Sequence, residues 1–311
     1  MGTENLTFVA DFILAGLSSH RKTQMFLFLV ILLVYLLSLV GNLMTILLVR
    51  TNSHLHTPMY FFLMHLSGLE ICYVTTTLPQ MLAHLLSGNG SISFTRCMFQ
   101  VYIFQSLAGA ECFLLGAMAY DRYLAICHPL VYTIAMDTCR QWQLASASWF
   151  GGFLLALINV LCTLHFPFCG PNHLNHFFCE LPMLLKLACA DTLVLEAILF
   201  GTAGLAILGP LIVILTSYGL ILSSVLQMTS TSGRHKAFST CASHLAVVTL
   251  YYGTTCFMYL IPRARTVPDR DKKIAVLYAV VTPLLNPIIY TLRNKDIHKA
   301  VVKMLERKSF E

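Results

Sequence analysis

Asp121 and Arg122 stand side by side in MAYDRYLAICHPL, residues 118–130, at the end of a long apolar stretch. Charged groups in such a stretch are costly to bury and are usually kept for a function. On a helix turning about 100° and rising about 1.5 Å per residue, Arg122 shares a face with Phe104, about five turns earlier, and Ala108 and Glu111 fall close to that face. Counted inward from Cys97, Phe104 lies roughly 10 Å deep, Glu111 roughly 21 Å and Arg122 roughly 37 Å. Arg122 is thus at the far mouth of the helix, where it can pair with Asp121 and still point inward. The plainer alternative is a charged pair that snorkels to the membrane interface. Pro129 then ends the helix, because proline disfavours helical geometry for His128 before it.

Glu70 and Glu111 are a second group. Both fall at mid-depth of apolar segments, and two buried carboxylates cannot both stay charged without a cation or a proton between them. Cysteines form a third. Cys97, Cys169, Cys179 and Cys189 lie in or next to polar loops, an even set that allows three pairings. Cys72, Cys112, Cys127, Cys162, Cys241 and Cys256 fall in or beside apolar runs and read as small hydrophobes. No Cys-x-x-Cys pair is present, which argues against structural zinc.

These residues need elements to hold them. Of 311 residues, 57% are hydrophobic and 11% charged, against about 25% charged in an average soluble domain. That is too little charge to coat a soluble surface, so the chain reads as a polytopic membrane protein. Net charge is +6, but the basic residues form no face or stripe, so nucleic acid is not an expected partner. Seven segments have the roughly 20 apolar residues a bilayer span needs: 25–49, 59–86, 97–127, 143–164, 193–228, 237–261 and 274–292. All are expected to be helices, because lipid offers the backbone no hydrogen-bond partners. Ile297, Val301, Val302 and Leu305 recur at helical spacing among lysines, which predicts a short amphipathic helix on the cytoplasmic membrane surface over 293–311. The expectation is one domain over 1–311, with a tail at 1–24, a helix bundle at 25–292 and the amphipathic end.

No cleavable signal sequence is expected, because residues 1–24 lack a basic start followed by an apolar core and a small-residue cleavage site. Lys and Arg favour an extracellular N-terminus only slightly, eleven against nine. The sequons at Asn5 and Asn89 and the loop cysteines agree with that side; Asn5, on a tail, is the better glycosylation site.

MAYDRYLAICHPL resembles the signature at the inner end of the third helix of olfactory receptors, a family of rhodopsin-like G-protein-coupled receptors. GN at 41–42, LHTPMYFFL at 55–63, SY at 217–218, KAFSTCASHL at 236–245 and NPIIYTLRN at 286–294 match the family in the expected order. The cysteine-rich second outer loop resembles the tetrapod-type branch. The resemblance implies an all-α bundle of seven transmembrane helices in the plasma membrane. It also implies a volatile odorant as agonist and a heterotrimeric stimulatory G protein of the olfactory type, which raises cAMP.

The resemblance further assigns roles by residue. Asp121 holds Arg122 at rest, and activation frees Arg122 toward Tyr218; Tyr123, Asn286, Pro287 and Tyr290 belong to the same inner switch. Cys97 would pair with Cys179, and Cys169 with Cys189. A sodium ion would sit at Glu70 and Glu111 near Asn42 and Asn286, with a shared proton as the alternative; no other cofactor is expected. His176-Phe-Phe-Cys179-Glu180 carries metal-ligand residue types, but packing is preferred, since a disulfide sulfur is a poor ligand. The odorant pocket would be lined by Phe104, Gln105, Ala108, Gly109 and Cys112, by Thr202, Ala203, Ala206 and Ile207, by Tyr252, Thr255 and Tyr259, and by Ala279. Small and apolar residues with a few hydroxyls and an amide suit a small volatile molecule held by shape and one or two hydrogen bonds. The Tyr259 hydroxyl is expected to read the ligand's polar group.

Other classes fit less well. Residues 274–292 hold no lysine for a retinal Schiff base. No repeats suggest a transporter. His-Glu-x-x-His is missing, and no enzymatic activity is expected. Residues 98–110 contain no Asp or Glu, so an aminergic ligand is not expected.

Overall fold

The computed structural model describes residues 11–168, 172–189, 191–227, 231–260, 268–293 and 297. The expected amphipathic helix beyond 293, Asn5 and Cys169 lie outside them, as does the side chain of Tyr290.

The apolar runs form long helices: α1 (Arg21–Thr51), α2 (Pro58–Ser87) and α3 (Phe94–Cys127), then, after the one-turn α4 (Tyr132–Ala135), α5 (Thr138–Leu164). Their ends follow local chemistry. Pro58 opens α2, where a missing N–H costs nothing. The Ser93 hydroxyl accepts from the Arg96 N–H to cap α3, and Asp137 accepts from the Arg140 N–H at 2.8 Å to cap α5. As Pro129 requires, α3 stops at Cys127, with His128 as its C-cap. A single turn α6 (Leu181–Leu184) precedes α7 (Leu193–Gln227) and α8 (Thr231–Tyr259). The last transmembrane helix is α9 (Pro268–Val276) continued through a π-helical turn, Leu277–Val281, into α10 (Thr282–Arg293).

Six of these helices are long and apolar enough to cross a membrane. The other expected span, α8, has the length but carries many hydroxyls and His244. Those groups are satisfied by the helix's own carbonyls and by its neighbour α7. The hydroxyls of Thr249 and Thr255 donate to carbonyls four residues earlier, and His244 meets the Tyr218 hydroxyl at 2.7 Å. In contrast, α1 and α7 turn Phe26, Leu33, Leu205 and Ile212 outward, as lipid-facing helices do.

The central helix is α3, packed against α2, α5 and α7. Gly152 of α5 lies so close to it that an added Cβ would fall 2.3 Å from the Ser106 carbonyl oxygen and 2.4 Å from the Ala110 nitrogen. Small residues here let two backbones touch.

Over the outer end sits a three-stranded sheet, β2 (Ser91–Ser93), β1 (Asp11–Leu14) and β3 (His173–Leu174), in the order β2-β1-β3. Phe12 pairs with Ile92 in the antiparallel ladder, and Leu14 with Leu174 in the parallel one. The segment read as a tail is therefore part of a lid from residue 11 onward. Phe12, Leu14, Ile92, Phe168 and Leu174 form its core with the Cys97–Cys179 disulfide. The chain leaves β1 through Gly16 at φ 67°, against the His84 ring, where a Cβ has no room.

Candidate functional site

Beneath the lid, α3, α5, α7 and α8 enclose a small cavity of about 60 Å³. Gln105, Ala108, Gly109 and Cys112 line it from α3, and Thr202, Ala203, Ala206 and Ile207 from α7. Thr255 and Tyr259 line it from α8, and Gly152, Leu155, Ala156 and Asn159 from α5. A larger cavity of about 370 Å³ lies next to it, shares Gln105, Asn159, Ala203 and Tyr259 and adds Leu181, Met183, Lys186, Glu196 and Asp271. The side-chain hydroxyl of Thr202 donates to the Asn159 amide oxygen at 2.8 Å, which fixes the α5–α7 wall.

Three expected pocket residues do not line either cavity. Phe104 is buried in an aromatic layer, its ring 4.7 Å from both Tyr73 and Phe178 and 6.0 Å from Tyr278. Tyr252 turns its hydroxyl to the Cys112 carbonyl oxygen at 3.0 Å, a position that ties α8 to α3. Its neighbour Tyr251, unmarked in the sequence, does the same to the Ala108 carbonyl at 2.7 Å. Ala279 is fully buried in the π turn. Helical spacing put Tyr252 and Tyr259 on one face, but only Tyr259 reaches the cavity.

Tyr259 in turn does not offer a free hydroxyl. It donates to Glu180 of the lid, and so does Tyr278 at 2.8 Å. Glu180 is 1% exposed. Burial raises its carboxyl to about pH 7, against the pull of the two tyrosine donors; Asp271 pushes the same way as burial. Nε2 of His176 lies 3.6 Å from Glu180, but burial holds the imidazole neutral down to about pH 3, so this contact is no ion pair. His176 instead stacks on Phe177 at 4.8 Å. Among the described residues no group of three or more His, Cys, Asp or Glu could hold a metal, and His176-Phe-Phe-Cys179-Glu180 acts as packing around a carboxylate. The lid is pinned again by Gln100, which accepts from the Cys179 N–H at 2.8 Å and donates to the Thr76 carbonyl at 2.9 Å. Cys189 is also disulfide-bonded.

Deeper in the bundle, the Asn286 amide donates to Glu70, and Glu111 lies beside it. Glu70 Oε2, Glu111 Oε1 and Asn286 Oδ1 are buried oxygens with no donor. Asn42 is engaged elsewhere, with the Ser38 carbonyl at 3.0 Å. At the inner mouth Arg122 meets Asp121 at 3.4 Å, and Tyr132 of α4 donates to the other oxygen of Asp121 at 2.8 Å. Tyr123 pairs with His128 at 2.8 Å, and Tyr218 with His244 rather than with Arg122. Pro287 interrupts α10 against Gly41 of α1.

An olfactory receptor family model matches residues 31–308. The chain belongs to the olfactory receptor family. Human olfactory receptor 5L1 is 47% identical over 308 residues, 99% of each chain. Human olfactory receptor 2G3 is 47% identical over 99% of this chain and 100% of its own, and human olfactory receptor 5F1 is 46% identical over 99% and 98%. The family is one of seven-transmembrane receptors, not enzymes, and this receptor is a multi-pass membrane protein. Ten of the thirteen residues expected at the ligand line one cavity, drawn from three helices. The α5 wall was not expected there, nor was Glu180 behind Tyr259. Glu180 acts across 79 residues to Tyr259 and 98 to Tyr278, a separation no local spacing reveals.

Proposed function

We propose that this receptor binds a small volatile odorant in the joined cavities between α3, α5, α7 and α8. With the N-terminus outside, its inner face then activates a stimulatory G protein and raises cAMP. The observation that carries the reading is the small-residue cavity under a disulfide-pinned lid, at the depth where a ligand touches α3 and α8 together. Ala108 and Cys112 line the cavity with their side chains and accept the Tyr251 and Tyr252 hydroxyls with their backbone carbonyls. A ligand pressing on this stretch of α3 bears directly on the bonds that set the position of α8. It favours the active state only by contacting the two states unequally.

At the inner mouth, Asp121, shared by Arg122 and Tyr132, fits a resting arrangement. Tyr218 turned to His244 fits the same state. Release of Arg122 when α8 moves outward would give the G protein its charged contact. Glu70, Glu111 and Asn286 present three buried oxygens without donors, which suits a sodium ion; Glu70 and Glu111 sharing a proton is the other reading. Either one offsets the repulsion between the two carboxylates. Agonist curves that shift with sodium in the receptor and not in Glu111→Gln support the ion; curves indifferent to sodium in both leave the proton.

The test of the main reading is a cAMP measurement in cells carrying the receptor, against a panel of chemically diverse volatiles, with cells lacking it as control. Responses from a subset of small volatiles are expected. No response from any volatile at verified surface expression contradicts it.

A further inference from the structure

The outer cavity holds a carboxylate that its surroundings leave half-satisfied. Asp271, at the outer end of α9, lines it and is 3% exposed. Its Oδ1 meets Arg270 at 3.6 Å, but Oδ2 is buried with no hydrogen-bond donor. Arg270 is 43% exposed and lies over the Phe257 ring at 4.8 Å. A buried carboxylate oxygen without a donor is costly, and the cavity is the open space beside it.

The rest of the wall has the same sign. Glu196 lines this cavity, accepting from the Thr192 hydroxyl at 2.9 Å, and Tyr259 of the wall bonds to Glu180 behind it. Among the described residues of the wall the one lysine, Lys186, is exposed at the rim, where solvent screens it. Gln105, at the junction with the inner cavity, has a buried amide oxygen without a donor as well. An anionic ligand would be pressed against Asp271 and Glu196. A cationic one would supply the missing donor.

We infer that the receptor takes primary aliphatic amines, with the ammonium on Asp271 Oδ2 in the outer cavity and the alkyl chain running past Gln105 and Tyr259 into the inner one. The inference rests on the cavity being the ligand site and names the ligand class. It reverses the expectation that no amine fits. That expectation considered acids on α3, whereas this one reaches the cavity from α9, 166 residues beyond Gln105 in the chain. The two cavities share four residues, so one short-chain molecule can occupy both. The inner wall of Ala108, Gly109, Ala206 and Ile207 then covers its apolar part.

The experiment compares hexylamine, hexanol, hexanoic acid and a methyl ketone of similar chain length. Each is tested by cAMP in cells at matched surface expression and by thermal stabilisation of the purified full-length receptor. Hexylamine is expected to stabilise and activate, and hexanoic acid to do neither. Asp271→Asn should lower the amine-to-ketone potency ratio by at least roughly tenfold, the loss expected for a charge-assisted hydrogen bond; Asp271→Glu should restore most of it. A ratio that Asp271→Asn leaves within about twofold, or hexanoic acid acting as well as hexylamine, overturns the assignment. Hexylamine that stabilises the receptor without raising cAMP supports the site and counts against the signalling reading. Hexanol or ketone responses with hexylamine inert in both assays overturn the amine assignment and leave the odorant reading standing.

Discussion

Glu180 is the residue on which the lid, α8 and the π turn after α9 converge. Replacing Tyr259 by Phe removes a donor to a buried carboxylate, worth roughly 1.5–3 kcal/mol, so Tyr259→Phe should lower the melting temperature of the purified receptor as well as agonist potency. Unchanged thermal stability would mean the Glu180 contact does not hold the lid. Because burial raises the Glu180 carboxyl to about 7, the folded receptor binds that proton more readily than the unfolded chain does. Its stabilising contribution is therefore complete below the ordinary glutamate range and is lost as pH rises through about 7. Melting temperature should fall between about pH 5 and about pH 8, and Glu180→Gln should flatten that slope; an equal slope in both would remove Glu180 as the cause. At this scale the sequence was legible where motifs carried it: ten cavity residues, the Asp121–Arg122 pair and Cys97. It was silent on Glu180 and Tyr132, whose partners meet them only in space.

The helices were legible to within a few residues wherever apolar runs ended at prolines, caps or polar loops, as at Pro58, Cys127 and Leu164. The start of α8 was not, because Thr, Ser and Lys residues dilute its inner end, and hydroxyls further along find acceptors in the helix's own carbonyls, which hydropathy does not count. Strand β1 was missed for a different reason: four residues, DFIL, become a strand only because β2 and β3 lie on either side. The closest contact between elements is at Gly152. Its would-be Cβ meets backbone rather than a movable side chain, so Gly152→Ala must push α5 away from α3. A cost of about 1–3 kcal/mol or more is expected, read as a lowered melting temperature and reduced surface expression. Wild-type stability would show that the two helices tolerate separation. Loss of the Cys97–Cys179 bridge frees the lid segment that follows β3 from α3; Cys97→Ser should cost about 2–5 kcal/mol and strongly reduce the receptor at the cell surface, checked by antibody labelling of intact cells.

At the scale of the molecule, composition alone separated a membrane bundle from a soluble domain, the lack of repeats argued against a transporter, and motif order across the chain pointed to the receptor family. The proposed function requires signal transfer along α3, from the cavity at Ala108 to Arg122. Tyr132→Phe removes one of the two groups holding Asp121 and should raise cAMP without agonist, whereas Arg122→Ala should reach the surface, bind ligand and fail to signal. Equal basal cAMP in Tyr132→Phe and the parent would exclude α4 from the resting lock. The central claim, that the joined cavities are the odorant site, is tested most directly by filling them. Ala203 lines both cavities. In Ala203→Trp, at matched surface expression, cAMP responses to every agonist of the parent receptor should be lost or shifted to much higher concentration, with the largest agonists lost first. Dose–response curves unchanged from the parent would place the odorant elsewhere and contradict the account.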